Sequence, residues 1–278
     1  MAEQQLMIDR SDPRRWQVTF DHPPLNLIDP GTIGEIAALV ESLENDPEVR
    51  VVVFQSADPD FFLAHYDTGA PRAQTPTPPS PTGLPTWLDI LARISEGPFV
   101  SLAKIRGRAR GAGSEFVLAC DMRFASLERA VLSQPEAALG LVAGGGPMHR
   151  LPYLTGRGRA LEIMLTGQDY DAELAERYGY VNRAVPDADL DDLVDDMARR
   201  IASFDKATLI EVKGYVGEVS QPAHALLSPT SHAFWASAAR PAARQRLATA
   251  VEMGLGKRSD LELHLGDRLG GLDREAHL

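Results

Sequence analysis

An α/β fold with much parallel strand pairing is predicted by three features of this 278-residue chain. Strand-like and helix-like patterns alternate from residue 15 to about residue 185. VVVF at 51–54 is apolar at every position, as a short buried strand is. A hydrophobic content of 44% over this length supports one large core, with room for a smaller appendage.

The elements follow in order. Arg15–Phe20 (RWQVTF) alternates like a half-buried strand. HPPLNLIDP is rich in turn formers. Gly31–Leu43 carries apolar residues at Ile33, Ile36, Ala37, Val40 and Leu43, which predicts a helix. Residues 71–85 hold six of the chain's 20 prolines. Proline lacks a donor and fixes φ, so this stretch is expected to be an exposed or mobile loop, too short to separate domains. Trp87–Ile94 reads as a helix and Phe99–Ile105 as a strand feeding the glycine-rich turn GRARGAGSEF. A helix is expected to begin at Glu115 and run to Cys120, with a strand at Met122–Ala125. Beyond residue 187 the pattern is helical, over 187–203, 205–217 and 229–254, and the charged stretch 255–278 is expected to be partly disordered. No sequence repeat of fixed period is present.

Composition excludes several classes. The net charge of −11 argues against nonspecific binding to nucleic acid or an anionic membrane. A single cysteine, Cys120, rules out an intrachain disulfide and a cysteine-cluster metal site, and its apolar setting predicts a buried, inert thiol. No stretch is long and apolar enough to span a bilayer, and the N-terminal residues lack an apolar signal core, so a cytoplasmic location is expected.

The turn at 107–116 is the most informative segment. It lacks the Gly-Lys-Ser/Thr of a phosphate-binding P-loop, the third glycine of a dinucleotide fingerprint, and the glycine-flanked serine of a nucleophile elbow. What remains is a strand, a turn of small residues and a helix start, which could offer backbone N–H groups to a developing oxyanion. Taken alone, the same residues are more simply read as a tight turn, with Glu115 complementing the helix dipole. A second carboxylate, Glu136, precedes another glycine turn, Gly144-Gly145-Gly146. Two carboxylates can divide acid and base work if the fold brings them together.

With these segments in place, the chain resembles the enoyl-CoA hydratase/isomerase family, also called the crotonase superfamily. The resemblance covers about residues 15–200. It rests on HPPLNLI, VRVVVFQSADPDFFLAHYD, LAKIRGRARGAGSEFVLACDMRFAS, LSQPEAALGLVAGGGPMHRLPYLTG and LTGQDYDAELAERYGYVNRAVP, which occur in that order. It implies a spiral of ββα units over residues 1–200, followed by a C-terminal helical oligomerisation region over 201–278. It also implies an acyl-CoA thioester substrate and assembly as a homotrimer or dimer of trimers. By resemblance, the backbone N–H groups of Tyr66 and Ala112 form an oxyanion hole. Glu115 deprotonates water attacking the β-carbon, and Glu136 protonates the α-carbon.

The implied reaction requires no metal or redox cofactor, and CoA enters only as part of the substrate. Leu27 and Ala64 would contact CoA through their backbones, with His65, Gly111 and Gly144 as further substrate-side positions. His65 stands where the family has glycine. Arg106, Arg108 and Arg110 could face CoA phosphates or make salt bridges. His149, Trp87 and Trp235 are expected to pack or lie at the surface. The resemblance implies hydration of a 2-enoyl-CoA. Isomerase, hydrolase, decarboxylase or dehalogenase chemistry, a catalytically weak acyl-CoA-binding protein and a dinucleotide-dependent oxidoreductase are the alternatives.

Overall fold

The computed structural model describes residues 4–70, 72–75, 77 and 79–272, which form ten strands and twelve α-helices. In chain order these begin with β1 (Leu6–Asp12), β2 (Arg15–Phe20), α1 (Pro30–Asn45), β3 (Val51–Ser56), β4 (Phe61–Leu63) and α2 (Thr86–Glu96). They continue with β5 (Val100–Ile105), β6 (Arg108–Arg110), α3 (Ala112–Ala119), β7 (Met122–Ser126), β8 (Val131–Ser133), α4 (Pro147–Thr155) and α5 (Arg157–Thr166). Then come β9 (Tyr170–Asp171), α6 (Ala172–Tyr178), β10 (Arg183–Val185), α7 (Asp187–Ala202), α8 (Lys206–Ser220) and α9 (His224–Ala238). The last three are α10 (Pro241–Glu252), α11 (Asp260–Leu263) and α12 (Leu265–Leu269).

Three successive ββα units account for the architecture. In each, the first strand joins a six-stranded sheet of order β1-β2-β3-β5-β7-β10, and the second joins a four-stranded sheet of order β4-β6-β8-β9. β3, β5 and β7 pair in parallel, and so do β4, β6 and β8, so each unit lies one turn along a spiral. The first strands begin at residues 51, 100 and 122, which is why no fixed period exists in the sequence.

The core anchors the glycine turn. Phe116 of α3 meets Phe54 edge-on with ring centroids 4.9 Å apart, and Phe20 edge-on at 5.4 Å. Both geometries suit aromatic quadrupoles, and burying each ring contributes roughly 1.5–3 kcal/mol. A Cβ on Gly113 would lie 2.0 Å from the Leu63 carbonyl, so only glycine lets α3 approach β4 this closely. The helix starts at Ala112 rather than Glu115, so both residues lie in its first turn.

Two expectations for the C-terminal region are corrected. One helix over 229–254 is in fact two, α9 and α10, because Pro241 has no N–H to donate and Arg240 before it is extended. The stretch after 255 is ordered through residue 272: Leu255, Leu261, Leu265, Leu269 and Leu272 bury together with Leu139 and Ala250. Leu261, Leu265, Leu269 and Leu272 have helical spacing, carried across two short helices that meet at His264, a signal outweighed in the sequence reading by the surrounding charges. Residues 273–278 of that stretch lie outside the described residues. The proline-rich loop is exposed over most of its described residues, as expected, and its C-terminal part is anchored on α2. Ser80 Oγ and Thr82 Oγ1 both donate to Asp89 of α2, at 2.8 and 2.6 Å.

Candidate active site

One cavity of about 360 Å³ opens where the first turn of α3, the 144–146 turn, α2 and the C-terminal helices converge. Glu115, Glu136, Tyr66, Ala112, His65, Gly111 and Gly144 all line it. The sequence-derived carboxylates, glycine turns and oxyanion positions therefore meet in space. Leu27 and Ala64 do not line it. Ala64 is buried in a small cluster with Leu25 and Phe61, and its N–H donates to the Asn26 carbonyl. The Leu27 carbonyl is met by His22 Nδ1 at 3.1 Å and Thr32 Oγ1 at 3.1 Å.

The two carboxylates are held differently. Glu115 Oε1 accepts from the Gly145 N–H at 2.7 Å, and Oε2 accepts from Trp87 Nε1 at 2.9 Å. A Cβ on Gly145 would lie 2.2 Å from Glu115 Oε2, so the backbone can approach the carboxylate only as glycine. Glu136 is less well supplied: its Oε2 is buried without a hydrogen-bond partner among the described residues. Burial pushes the Glu115 pKa up, and the Gly145 and Trp87 donors pull it back only in part. Burial, and then the charge of Glu115, push Glu136 up to about 8. When the pair holds one proton, that proton resides on Glu136, because more donors stabilise the charge of Glu115 than that of Glu136.

Two backbone donors have no acceptor among the described residues. Among the described residues, no hydrogen bond takes the N–H of Tyr66 or of Ala112. Gly111, by contrast, donates to the Ser133 carbonyl at 3.1 Å.

The sequence profile of the enoyl-CoA hydratase/isomerase family matches residues 16–226 of this chain. The chain belongs to the enoyl-CoA hydratase/isomerase family. Like other members of this acyl-CoA enzyme family, it has named relatives over most of its length. It is 33% identical to a carnitinyl-CoA dehydratase of Citrobacter koseri over 187 residues, 67% of this chain and 70% of that one. It is 32% identical to a candidate mitochondrial enoyl-CoA hydratase of Dictyostelium discoideum over 197 residues, 70% of this chain and 69% of that one. The crystal structure of a candidate enoyl-CoA hydratase from Streptomyces avermitilis superimposes with a TM-score of 0.92 at 42% identity, covering 97% and 98% of the two chains.

Several members of this family site were not legible in the sequence. Trp87, read as a packing residue, is a donor to Glu115, and Trp235 lines the cavity. Phe234, Leu255 and Leu265 bring the C-terminal region into the wall. His149 does not line the cavity. His65 does, and it is outside the left-handed region, so its Cβ brings no backbone strain. Its Nε2 lies 2.8 Å from Glu262 Oε1, which no local pattern could signal across 197 residues.

The arginine trio is committed within the chain. Arg106 pairs with Asp187 at 2.8 Å and Asp191 at 2.9 Å. Arg108 donates to the Leu263 carbonyl at 3.0 Å, and Arg110 to Asp169 at 2.6 Å. Salt bridges and carbonyls thus occupy groups that could have met phosphates. Cys120 is buried, and burial pushes its thiol up to about 12, in keeping with an inert side chain. No helix among the described residues is long and apolar enough to cross a membrane.

Proposed function

We propose that this enzyme adds water across the double bond of a 2-enoyl-CoA, giving a 3-hydroxyacyl-CoA. The observation that carries the reading is the unequal carboxyl pair beside two unoccupied backbone donors. Hydration needs one ionised and one protonated carboxyl at the same moment. Ionised Glu115 takes a proton from water as the oxygen bonds to the β-carbon. The electrons move onto the thioester oxygen, where the N–H groups of Tyr66 and Ala112 stabilise the enolate. The enolate then takes the Glu136 proton at its α-carbon. The proton gained by Glu115 and lost by Glu136 is re-equilibrated through solvent before the next cycle. Oxidation state is conserved, so the proposed step needs no redox cofactor; the enolate charge is assigned to the two backbone N–H groups, and CoA is only the handle of the substrate.

The test is loss of the conjugated enoyl-thioester absorbance over a panel of trans-2-enoyl-CoA substrates, short to long and aryl-substituted. Glu115→Gln and Glu136→Gln are each expected to lower kcat on the order of 10²–10⁴-fold. No loss of absorbance with any substrate would overturn hydration.

One observation favours a second reading. Isomerisation can use a single carboxyl as proton shuttle, and Glu136 is the one with an unpartnered oxygen, Oε2, among the described residues. If Glu115→Gln retained full activity on a 3-enoyl-CoA, isomerisation would replace hydration.

We also propose a homo-oligomer, a trimer or dimer of trimers. Its support is α8, which buries no residue and exposes Val212, Tyr215, Val216 and Val219 on one face.

A further inference from the structure

We propose that His65 is a positioning residue, locked by Glu262 so that the peptide groups around Tyr66 keep one N–H for the substrate carbonyl. The inference rests on the oxyanion hole proposed above.

Two peptide groups flank Tyr66, and together they carry four polar atoms. The His65 carbonyl accepts from the Ile28 N–H at 2.9 Å, and the Asp67 N–H donates to the Ile28 carbonyl at 2.9 Å. The Tyr66 carbonyl is met by His65 Nδ1 at 2.8 Å. The fourth atom, the Tyr66 N–H, has no partner among the described residues. Ile28 grips both peptides, the 65–66 unit through its carbonyl and the 66–67 unit through its N–H. The imidazole holds the other end of the 66–67 unit, a second restraint against its rotation at Tyr66.

The imidazole is itself immobilised. A carbonyl only accepts, so Nδ1 carries a proton. Nε2 faces the Glu262 carboxylate, an acceptor as well, so the ring donates at both ends. Burial by itself would lower the His65 pKa, but the Glu262 carboxylate outweighs it and the net shift is upward; burial by itself would raise the Glu262 pKa, but His65 and the Gly256 N–H outweigh it and the net shift is downward. Glu262 is fully buried, and its Oε1 also accepts from the Gly256 N–H at 2.7 Å. Its carbonyl accepts from Arg110 Nη1 at 2.5 Å, and Arg110 is gripped by Asp169. Glu262 Oε2 has no partner among the described residues, but Oε1 is held from two sides, so the restraint reaches from α11 to the donor.

The site lies immediately beside this restraint. A methyl group placed on Gly111 would be 3.6 Å from His65 Cβ and 3.0 Å from Glu136 Oε1. A displaced 65–66 peptide would therefore shift a donor next to the proton-bearing carboxyl, at a distance scale where catalysis is steeply sensitive to placement.

The test reads the carbonyl itself. Infrared difference spectra of bound [1-¹³C]butyryl-CoA report how strongly the thioester oxygen is polarised, whether or not the enzyme turns over. The wild-type carbonyl stretch is expected below its value in water. His65→Gly and Glu262→Gln are expected to return it towards that value. His65→Gly should lower kcat on crotonyl-CoA on the order of 10²-fold, with KM changed far less. His65→Asn, whose amide can still donate to the Tyr66 carbonyl, should recover part of both losses. A merely structural role would lower Tm and leave the stretch unmoved.

Folded variants that keep the wild-type stretch and kcat would overturn the proposal. If His65→Gly fails to fold, the isosteric Glu262→Gln decides it by the same two readouts. A polarised carbonyl without loss of enoyl absorbance would overturn hydration and leave the positioning role standing. An unshifted wild-type carbonyl would overturn the positioning role whichever reaction the enzyme performs.

Discussion

Trp87 and Gly145 each give a hydrogen to Glu115, and those two bonds decide which carboxyl keeps the shared proton. The indole bond is the easier to remove. A hydrogen bond to a charged group contributes about 1.5–3 kcal/mol, and one pKa unit corresponds to about 1.4 kcal/mol. Trp87→Phe should therefore raise the acidic limb of the kcat/KM profile by about one unit, as a pH series on both proteins would measure. The alkaline limb has a separate origin. Glu136, pushed up to about 8, holds its proton below that value and loses it above. Activity that depends on Glu136 as an acid should fall as pH rises through 8 in the wild type. A profile flat from pH 7 to 10 would contradict that role. At this scale the two glutamates were visible in the sequence because each adjoins a glycine turn. Trp87 and Glu262 were not, since each acts on a residue far away in the chain, 28 positions for Trp87 and Glu115 and 197 for His65 and Glu262.

Helix α3 carries Ala112 and Glu115 in its first turn, and Phe116 pins that turn to the core. Phe116→Ala should cost about 3–5 kcal/mol. At a few degrees per kcal/mol, calorimetry should register a Tm lower by roughly 10 °C. Phe116→Leu retains more volume, so its stability loss should be smaller. It leaves the edge-on contacts unfilled, so activity should fall in a chain that still melts cooperatively. The strand and helix starts were readable from apolar spacing, as Arg15–Phe20 and α1 show. The break between α9 and α10 was readable too, from Pro241, but the helical composition on both sides masked it. The order of residues 255–272 comes from tertiary burial of leucines, which local charge conceals.

Over the whole molecule, the spiral explains why the fold class was legible while its period was not: equivalent strands share pairing and burial, but the connections between them differ in length. The face of α8 bears on the assembly. Val219 is 77% exposed and Tyr215 71%, an apolar stripe that no described residue of the chain covers. Val216→Asp should lower the molar mass measured by light scattering towards that of a monomer, and an unchanged mass would exclude α8 from the interface. The contact between His65 and Glu262 carries a consequence for biosynthesis. A ribosome delivers Glu115 and Glu136 well over a hundred residues before Glu262. A nascent chain thus holds both carboxyls while one wall of their chamber is still being translated. Messages cut short before codon 262 would yield polypeptides that contain the acid and the base yet lack the clasp that closes around them.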